Sequence, residues 1–148
     1  GYAGQASRPC RCTPLAVTRY HERVSGPLRD RLDLTVELSP VAFDTLTGAA
    51  PAEPSSEVRR RVDAARAVQR QRAPEAGATL NSRLAPAALR RIAALDREST
   101  RHLAAAATRL TLSGRAVHRT LRVARTIADL DGSADIGAPH LLEALQFR

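Results

Sequence analysis

Methionine, lysine and tryptophan are missing from the 148 residues, and each absence narrows what the chain can be. Without Met there is no ordinary initiator before Gly1-Tyr2, so the sequence is expected to be an excised part of a longer protein or one that has lost a leader. Without Lys, all 23 basic side chains are Arg. Arginine's aptitude for bidentate phosphate contacts therefore carries no information by itself, because GC-rich codon use explains the choice; only the placement of the arginines can be read. Aromatics are limited to Tyr2, Tyr20, Phe43 and Phe147, too few for a platform on which single-stranded bases stack. Two cysteines one residue apart cannot make the disulfide framework of a secreted domain, so a reducing cytoplasm is expected. No run approaches the roughly 20 apolar residues of a membrane span, and no charged, apolar, small-residue leader opens the chain.

What remains is one domain's worth of chain with a modest core and a net charge of +8. That charge suits nucleic acid, a nucleotide or an acidic protein face, and it equally suits a basic domain with a solvated surface.

Residues 1–40 mix a Cys-containing loop, a short helix and a strand. Thr13-Pro14 predicts a helix start, with Thr as N-cap and Pro at the first position; Leu15, Val17, Tyr20 and Val24 give it an apolar side before Ser25-Gly26-Pro27 stops it. Leu32, Leu34, Val36 and Leu38 alternate with Asp33, Thr35 and Glu37, which predicts a half-buried strand ending at Ser39-Pro40. Residues 41–54 have no period and read as a linker. Residues 55–148 read as all-helical: a helix capped by Ser55 or Ser56 and closed by Pro74 and Gly77, then stretches from about 86 to 95, 96 to 110 and 114 to 131, and a short helix with Pro139 in its first turn. The fold class is thus mostly α.

The helix from 114 to 131 has a marked pattern. At about 100° per residue, Arg115, His118, Arg119, Arg122, Arg125 and Asp129 share roughly 120° of arc, opposite Ala116, Val117, Ala124, Ile127 and Ala128. This predicts an outer face made almost wholly of guanidinium groups. Like charges three and four residues apart repel by a few tenths of a kcal/mol, a cost that a docked anion would offset; the same face also reads as a merely solvated one.

Four segments in order, Cys10-Arg11-Cys12-Thr13-Pro14, Ser25-Gly26-Pro27-Leu28-Arg29-Asp30-Arg31-Leu32-Asp33-Leu34, Leu112 through Arg119 continuing to Val123–Leu130, and His140–Leu145, resemble the carboxy-terminal part of the magnesium-chelatase-like AAA+ ATPases of the ComM type. The resemblance spans nearly the whole chain, and the second and third segments are its specific part. It implies that residues 1–40 end an AAA+ α/β nucleotide-binding core (loop, helix, strand), that 41–54 link it onward, and that 55–148 form the all-helical lid. The family's Walker A and Walker B elements precede this region, and no G-x-x-x-x-G-K-[ST] occurs here. Without a phosphate cradle or a Mg²⁺ carboxylate the chain is expected to be inactive alone, with ATP and Mg²⁺ used by the parent protein.

The resemblance also assigns roles. Arg31 matches the arginine finger that such rings insert into a neighbouring subunit's ATP site; on its own it also reads as a surface partner of Asp30 or Asp33. Arg115 matches the second sensor, a lid arginine contacting the γ-phosphate, and its place in a helix's first turn favours an anion independently. Arg119, Arg122 and Arg125 are candidates for DNA or another anion. Cys10 and Cys12 look like half of a structural Zn²⁺ site whose other Cys-x-Cys pair lies upstream in the family; they also read as two reduced surface thiols, and the chain is expected without bound metal. His21 is a further possible ligand but reads better as a helix-surface histidine, and His102, His118 and His140 are given no chemistry. Arg29, where the family is usually apolar, and the diverged stretch Val41–Pro54 leave the geometry around Arg31 open.

The implied function is ATP-driven helicase or branch-migration work on DNA in recombination and transformation, by a homo-oligomeric, hexameric cytoplasmic ring. The isolated chain is expected to be monomeric, since most of its subunit contacts would need the rest of its core. A stand-alone basic helical module binding nucleic acid or an acidic partner, and a magnesium chelatase ATPase subunit, are the competing readings.

Overall fold

A computed structural model describes residues 2–4, 8–38, 40–41, 43–48 and 52–148. Gly1, the expected strand end at Ser39, and residues 42 and 49–51 of the expected linker lie outside the described residues. Among those described, the chain is mostly helical: α1 (Pro14–Glu22), α2 (Gly26–Arg29), α3 (Phe43–Thr47), α4 (Ser55–Ala76), a 3₁₀ turn (Asn81–Arg83), α5 (Pro86–Ile92), α6 (Arg97–Arg109), α7 (Gly114–Leu130) and α8 (Ala138–Gln146). No described helix is long and apolar enough to cross a membrane. The contacts divide the chain into two units, residues 1–32 with 36–50, and residues 33–35 with 51–148.

The first unit follows its caps. Thr13 adopts an extended backbone, its hydroxyl accepts the Ala16 N–H, and Pro14 takes the first helical position of α1. Ser25 does the same for α2 through the Leu28 N–H, so Ser25-Gly26-Pro27 stops one helix and starts another. Among the described residues here only Cys10 and Val17 are even half-buried. The strand expected over Leu32–Leu38 is absent: residues 34–38 carry no regular structure, and Leu32, Leu34, Val36 and Leu38 are 45%, 52%, 62% and 89% exposed. Alternation predicts a strand only where a sheet exists to bury one face; here a single backbone bond, from the Thr35 N–H to the Phe147 carbonyl at 3.2 Å, takes the place of a ladder. Within the linker, Phe43–Thr47 form the short α3.

The second unit has a true core. Leu84, Leu89, Ala93, Ala124, Ala128, Ile136, Leu141 and Ala144 are buried, with Leu95, Leu103, Leu121, Ile127 and Leu145 packed against them. Burying each of Leu84, Leu89 and Leu141 contributes about 1.5–3 kcal/mol. The helix α7 runs through the middle, packed against α4, the 3₁₀ turn, α5 and α8. Its buried positions are mostly small, Ala116, Thr120, Ala124 and Ala128, and their four-residue spacing lets neighbouring helices approach closely. The helix α4 begins at Ser55 after Pro54 and has no side-chain cap, so neither Ser55 nor Ser56 caps it. Nor does Pro74 end it: so near the terminus its missing N–H costs one hydrogen bond, and the helix continues to Ala76 before Gly77, at φ 69°, turns the chain away. Asp96 caps α6 by accepting the Ser99 N–H at 2.6 Å, and an isolated parallel bridge joins Leu95 to Ile136.

Candidate functional site

The helix α7 positions most of the candidate side chains. Ser113 at its N-cap accepts the Ala116 N–H at 3.1 Å. Arg115, the second residue of the helix, is exposed and has no ion pair or side-chain hydrogen bond among the described residues. First-turn amides have no acceptor within a helix, and the helix dipole adds positive potential there. An exposed, unneutralised arginine thus belongs to the end of α7 that already favours an anion.

The rest of the arginine face is not where the helical wheel puts it. Arg125 is 1% exposed. Its Nε donates to Asp129 Oδ1 at 3.0 Å, and its two terminal nitrogens donate to the carbonyls of Ala134 (2.7 Å) and Ser133 (2.6 Å). Arg122 is half-buried and donates to the Leu84 carbonyl at 2.8 Å. Arg119, its side chain 16% exposed, lies 3.5 Å from Asp33. The expected outer guanidinium face is therefore corrected: from Arg119 onward these arginines turn into the protein, because α7 is packed on several sides and each finds a carbonyl or carboxylate there. Arg125 in particular is withdrawn from any outside ligand, since all three guanidinium nitrogens donate within the protein and the residue is buried.

The partner that makes this possible is Asp129, 3% exposed. It accepts from Gln69 Nε2 (3.2 Å), from both terminal nitrogens of Arg72 (3.0 and 2.8 Å), from Asn81 Nδ2 (2.7 Å) and from Arg125. Burial opposes its ionisation, but hydrogen bonds from Arg72 and Asn81 and the charge of Arg125 outweigh that and hold the carboxyl below its ordinary range. Burial likewise lowers Arg125, against the pull of Asp129. This cluster ties α4, the 3₁₀ turn, α7 and the turn after it into one body. Sequence reasoning missed it; the available signal was the Arg125–Asp129 pair four residues apart on a helix otherwise rich in Ala and Thr.

In the first unit, Arg31 follows α2, is exposed, and forms no ion pair among the described residues; Asp33 is taken by Arg119. Cys10 and Cys12 are free thiols lining one cleft with His21. The N–H of Cys12, and next that of Tyr2, lower the Cys10 thiol below its usual value, which suits a thiolate ligand. A closed structural zinc site needs four ligands, and no group of three His, Cys, Asp or Glu that could hold a metal occurs among the described residues. The pair does not make a zinc site by itself. His140 serves the fold: its Nδ1 accepts the Gly137 N–H at 3.0 Å and its Nε2 lies 3.2 Å from Asp131.

Comparison with known proteins adds the family. The model described as "Magnesium chelatase, subunit ChlI C-terminal" matches residues 52–148, and the one described as "Magnesium chelatase, subunit ChlI" matches residues 1–46. The chain belongs to the magnesium chelatase ChlI family. It is 40% identical over 139 residues to the competence protein ComM of Haemophilus influenzae, which covers 93% of this chain and 26% of that protein. It is 41% identical over 140 residues to the uncharacterized protein YifB of Escherichia coli, covering 93% and 27%, and 37% identical over 153 residues to the uncharacterized protein Mb2921c of Mycobacterium bovis, covering 97% and 30%. The chain thus spans between a quarter and a third of these family members.

Proposed function

We propose that this chain is the lid and the adjoining core edge of a ring-forming AAA+ ATPase that works on DNA, with the catalytic phosphate cradle contributed by other parts of the full-length protein. The observation that carries this reading is Arg115: exposed, without an ion pair, and set in the first turn of a 17-residue helix. That arrangement fits a nucleotide's terminal phosphate, which would gain both a guanidinium and the positive end of the helix. Bound ATP, with its Mg²⁺, would supply the phosphoanhydride whose cleavage drives movement. Arg115 would hold the terminal phosphate from the lid side. Arg31, exposed and without an ion pair among the described residues, would present its cation across a subunit boundary to charge building on the phosphoryl oxygens, a contribution of about 10³–10⁵ in rate in related enzymes. In this reading the buried Asp129 cluster makes the lid one rigid body, so that a contact at Arg115 moves all of it.

The name of the Haemophilus relative places that protein in competence, and DNA as the polyanion acted on is our reading of it; a homo-hexameric ring in the cytoplasm follows from the same reading, as does a monomeric isolated chain. Magnesium insertion into a porphyrin is the competing reading, favoured by the description that the family carries. The test is DNA-stimulated ATP hydrolysis by the full-length protein, with Arg31→Ala and Arg115→Ala beside the wild type. Subunits carrying Arg31→Ala are also mixed with subunits lacking a working Walker A. Each variant alone should lose activity and the mixture should regain part of it. Normal hydrolysis by Arg31→Ala would remove the finger, and stimulation by a porphyrin but not by DNA would favour the chelatase.

A further inference from the structure

With Arg122 and Arg125 engaged inside the second unit and Arg119 held beside Asp33, the cations able to meet a polyanion lie elsewhere. On α4, Arg59, Arg66 and Arg70 are all exposed, and none forms an ion pair among the described residues. At about 100° and 1.5 Å per residue they fall within roughly 40° of one line along the helix, about 10 Å and then 6 Å apart. The face that packs inward, marked by Ala65, Gln69 and Ala76, is turned about a quarter-turn away. Arg66 hydrogen-bonds Gln69 Oε1 at 3.1 Å, which steadies the side chain without neutralising it. The other arginines of α4 are neutralised: Arg60 by Glu57 at 2.8 Å, Arg61 by Glu53 at 2.6 Å, Arg72 by Asp129 at 2.8 Å. One carboxylate, Asp63, sits on the stripe between Arg59 and Arg66, and it too forms no ion pair among the described residues.

We infer that this stripe is a docking face for the phosphate backbone of duplex DNA; the inference rests on the reading that the protein works on DNA and names where this chain meets it. Charge complementarity carries the argument. Arginines that repel one another are left unpaired along some 16 Å of helix, while their neighbours are matched with carboxylates. A duplex offers a negative charge about every 1.7 Å of its axis, so the long arms of Arg59, Arg66 and Arg70 meet phosphates without a particular register. No aromatic side chain lies on α4, so nothing there holds an unstacked base, and the contact is with backbone and indifferent to sequence.

The test uses the 148-residue chain and a fluorescently labelled duplex of about 20 base pairs, with anisotropy read from about 50 to 200 mM salt. Arg59→Ala/Arg66→Ala/Arg70→Ala is compared with Arg90→Ala/Arg97→Ala/Arg101→Ala, which removes the same charge from other exposed positions. Alanine keeps helix propensity in both, and far-UV circular dichroism confirms the fold. The stripe variant should lose about 3 units from the slope of log affinity against log salt, roughly one per arginine. That is a contribution of about 40-fold to the wild type's loss of affinity over this salt range. The control variant should change little, and Asp63→Asn should tighten binding. Equal weakening by the two triple variants would mean that only net charge matters and would overturn the inference while leaving DNA binding intact. No salt-sensitive binding by the wild type would remove the DNA reading itself. Preference for poly-glutamate over the duplex, lost in the stripe variant, would reassign the face to an acidic protein.

Discussion

Replacing Asp129 with Ala removes the common acceptor of two from Arg72 and one each from Gln69, Asn81 and Arg125, five hydrogen bonds in all. It leaves the Arg125 guanidinium at 1% exposure and the partly buried Arg72 with no carboxylate between them. Removing one member of a buried ion pair costs about 3–5 kcal/mol, because the survivor is stranded rather than because the pair itself is strongly favourable. The second unit has the size of a domain whose whole stability is about 5–15 kcal/mol, and each kcal/mol moves the melting temperature by about 4–8 °C. The drop should therefore exceed about 12 °C, and the variant should be partly unfolded under mild conditions. Arg125→Met keeps bulk and removes the charge. It leaves Asp129 with Arg72, Gln69 and Asn81, and the Ser133 and Ala134 carbonyls without donors, at about 1–3 kcal/mol. In the double variant the more deeply buried of the two stranded cations is gone, though Arg72 still lacks its carboxylate, so the loss should fall short of the sum of the singles by about 0.5–3 kcal/mol. Urea unfolding followed by circular dichroism at the helical band measures all four proteins. If Asp129→Ala stays within about 1 kcal/mol of wild type, or the double variant is strictly additive, the cluster does not hold the helices together and the rigid-lid argument fails.

Three smaller effects should be measurable by the same method. Ser113→Ala removes the cap of α7 and should cost about 1 kcal/mol, with more if the start of α7 also anchors neighbouring turns. Gly77→Ala meets open space but forces a side chain onto a backbone at φ 69°, so it should cost about 1 kcal/mol from conformation alone; a stabilised variant would refute the left-handed cap. Asp129, Asp96 and Asp131 all lie below the ordinary carboxylate range in the folded chain. Asp96 owes this first to the Ser99 N–H, and Asp131 to a hydrogen bond with His140. On acidification the unfolded chain takes up these protons first. Their contribution is whole above about pH 5 and is lost as pH falls through about 4 and below. A chain that gained stability on going from pH 5 to 3 would contradict this.

Much of the helical frame was legible because it is written locally. Thr13, Asp96 and Ser113 announce helix starts within four residues, and Gly77 announces an end, so chemistry confined to one turn decides the outcome. The strand over Leu32–Leu38 was misread because alternation records a sheet's two faces, and no described segment supplies a sheet. The arginines of α7 were misread for a related reason. A helical wheel sorts residues by polarity, and a buried arginine is polar like an exposed one; what distinguishes Arg125 is Arg72 and Asn81, 57 and 48 positions from Asp129, together with two carbonyls after the helix. Arg31 and Arg115 owe their proposed roles to a family pattern, and Arg59, Arg66 and Arg70 could be sorted from Arg60 and Arg61 only once their carboxylate partners were visible.

The helix α7 has a consequence for motion on the timescale of hydrogen exchange. Its amides from about Thr120 to Asp129 are hemmed in by other helices and by the Asp129 cluster, so they should exchange only when the whole second unit unfolds. Residues 55–64 of α4 are exposed on every side and should exchange early, by fraying. Arg115 thus stands at the tip of a helix expected to resist opening, while the basic stripe begins on a segment expected to melt and reform on its own. An anion at Arg115 would feel a stiff handle, and a duplex at Arg59 a sleeve that firms as it is gripped.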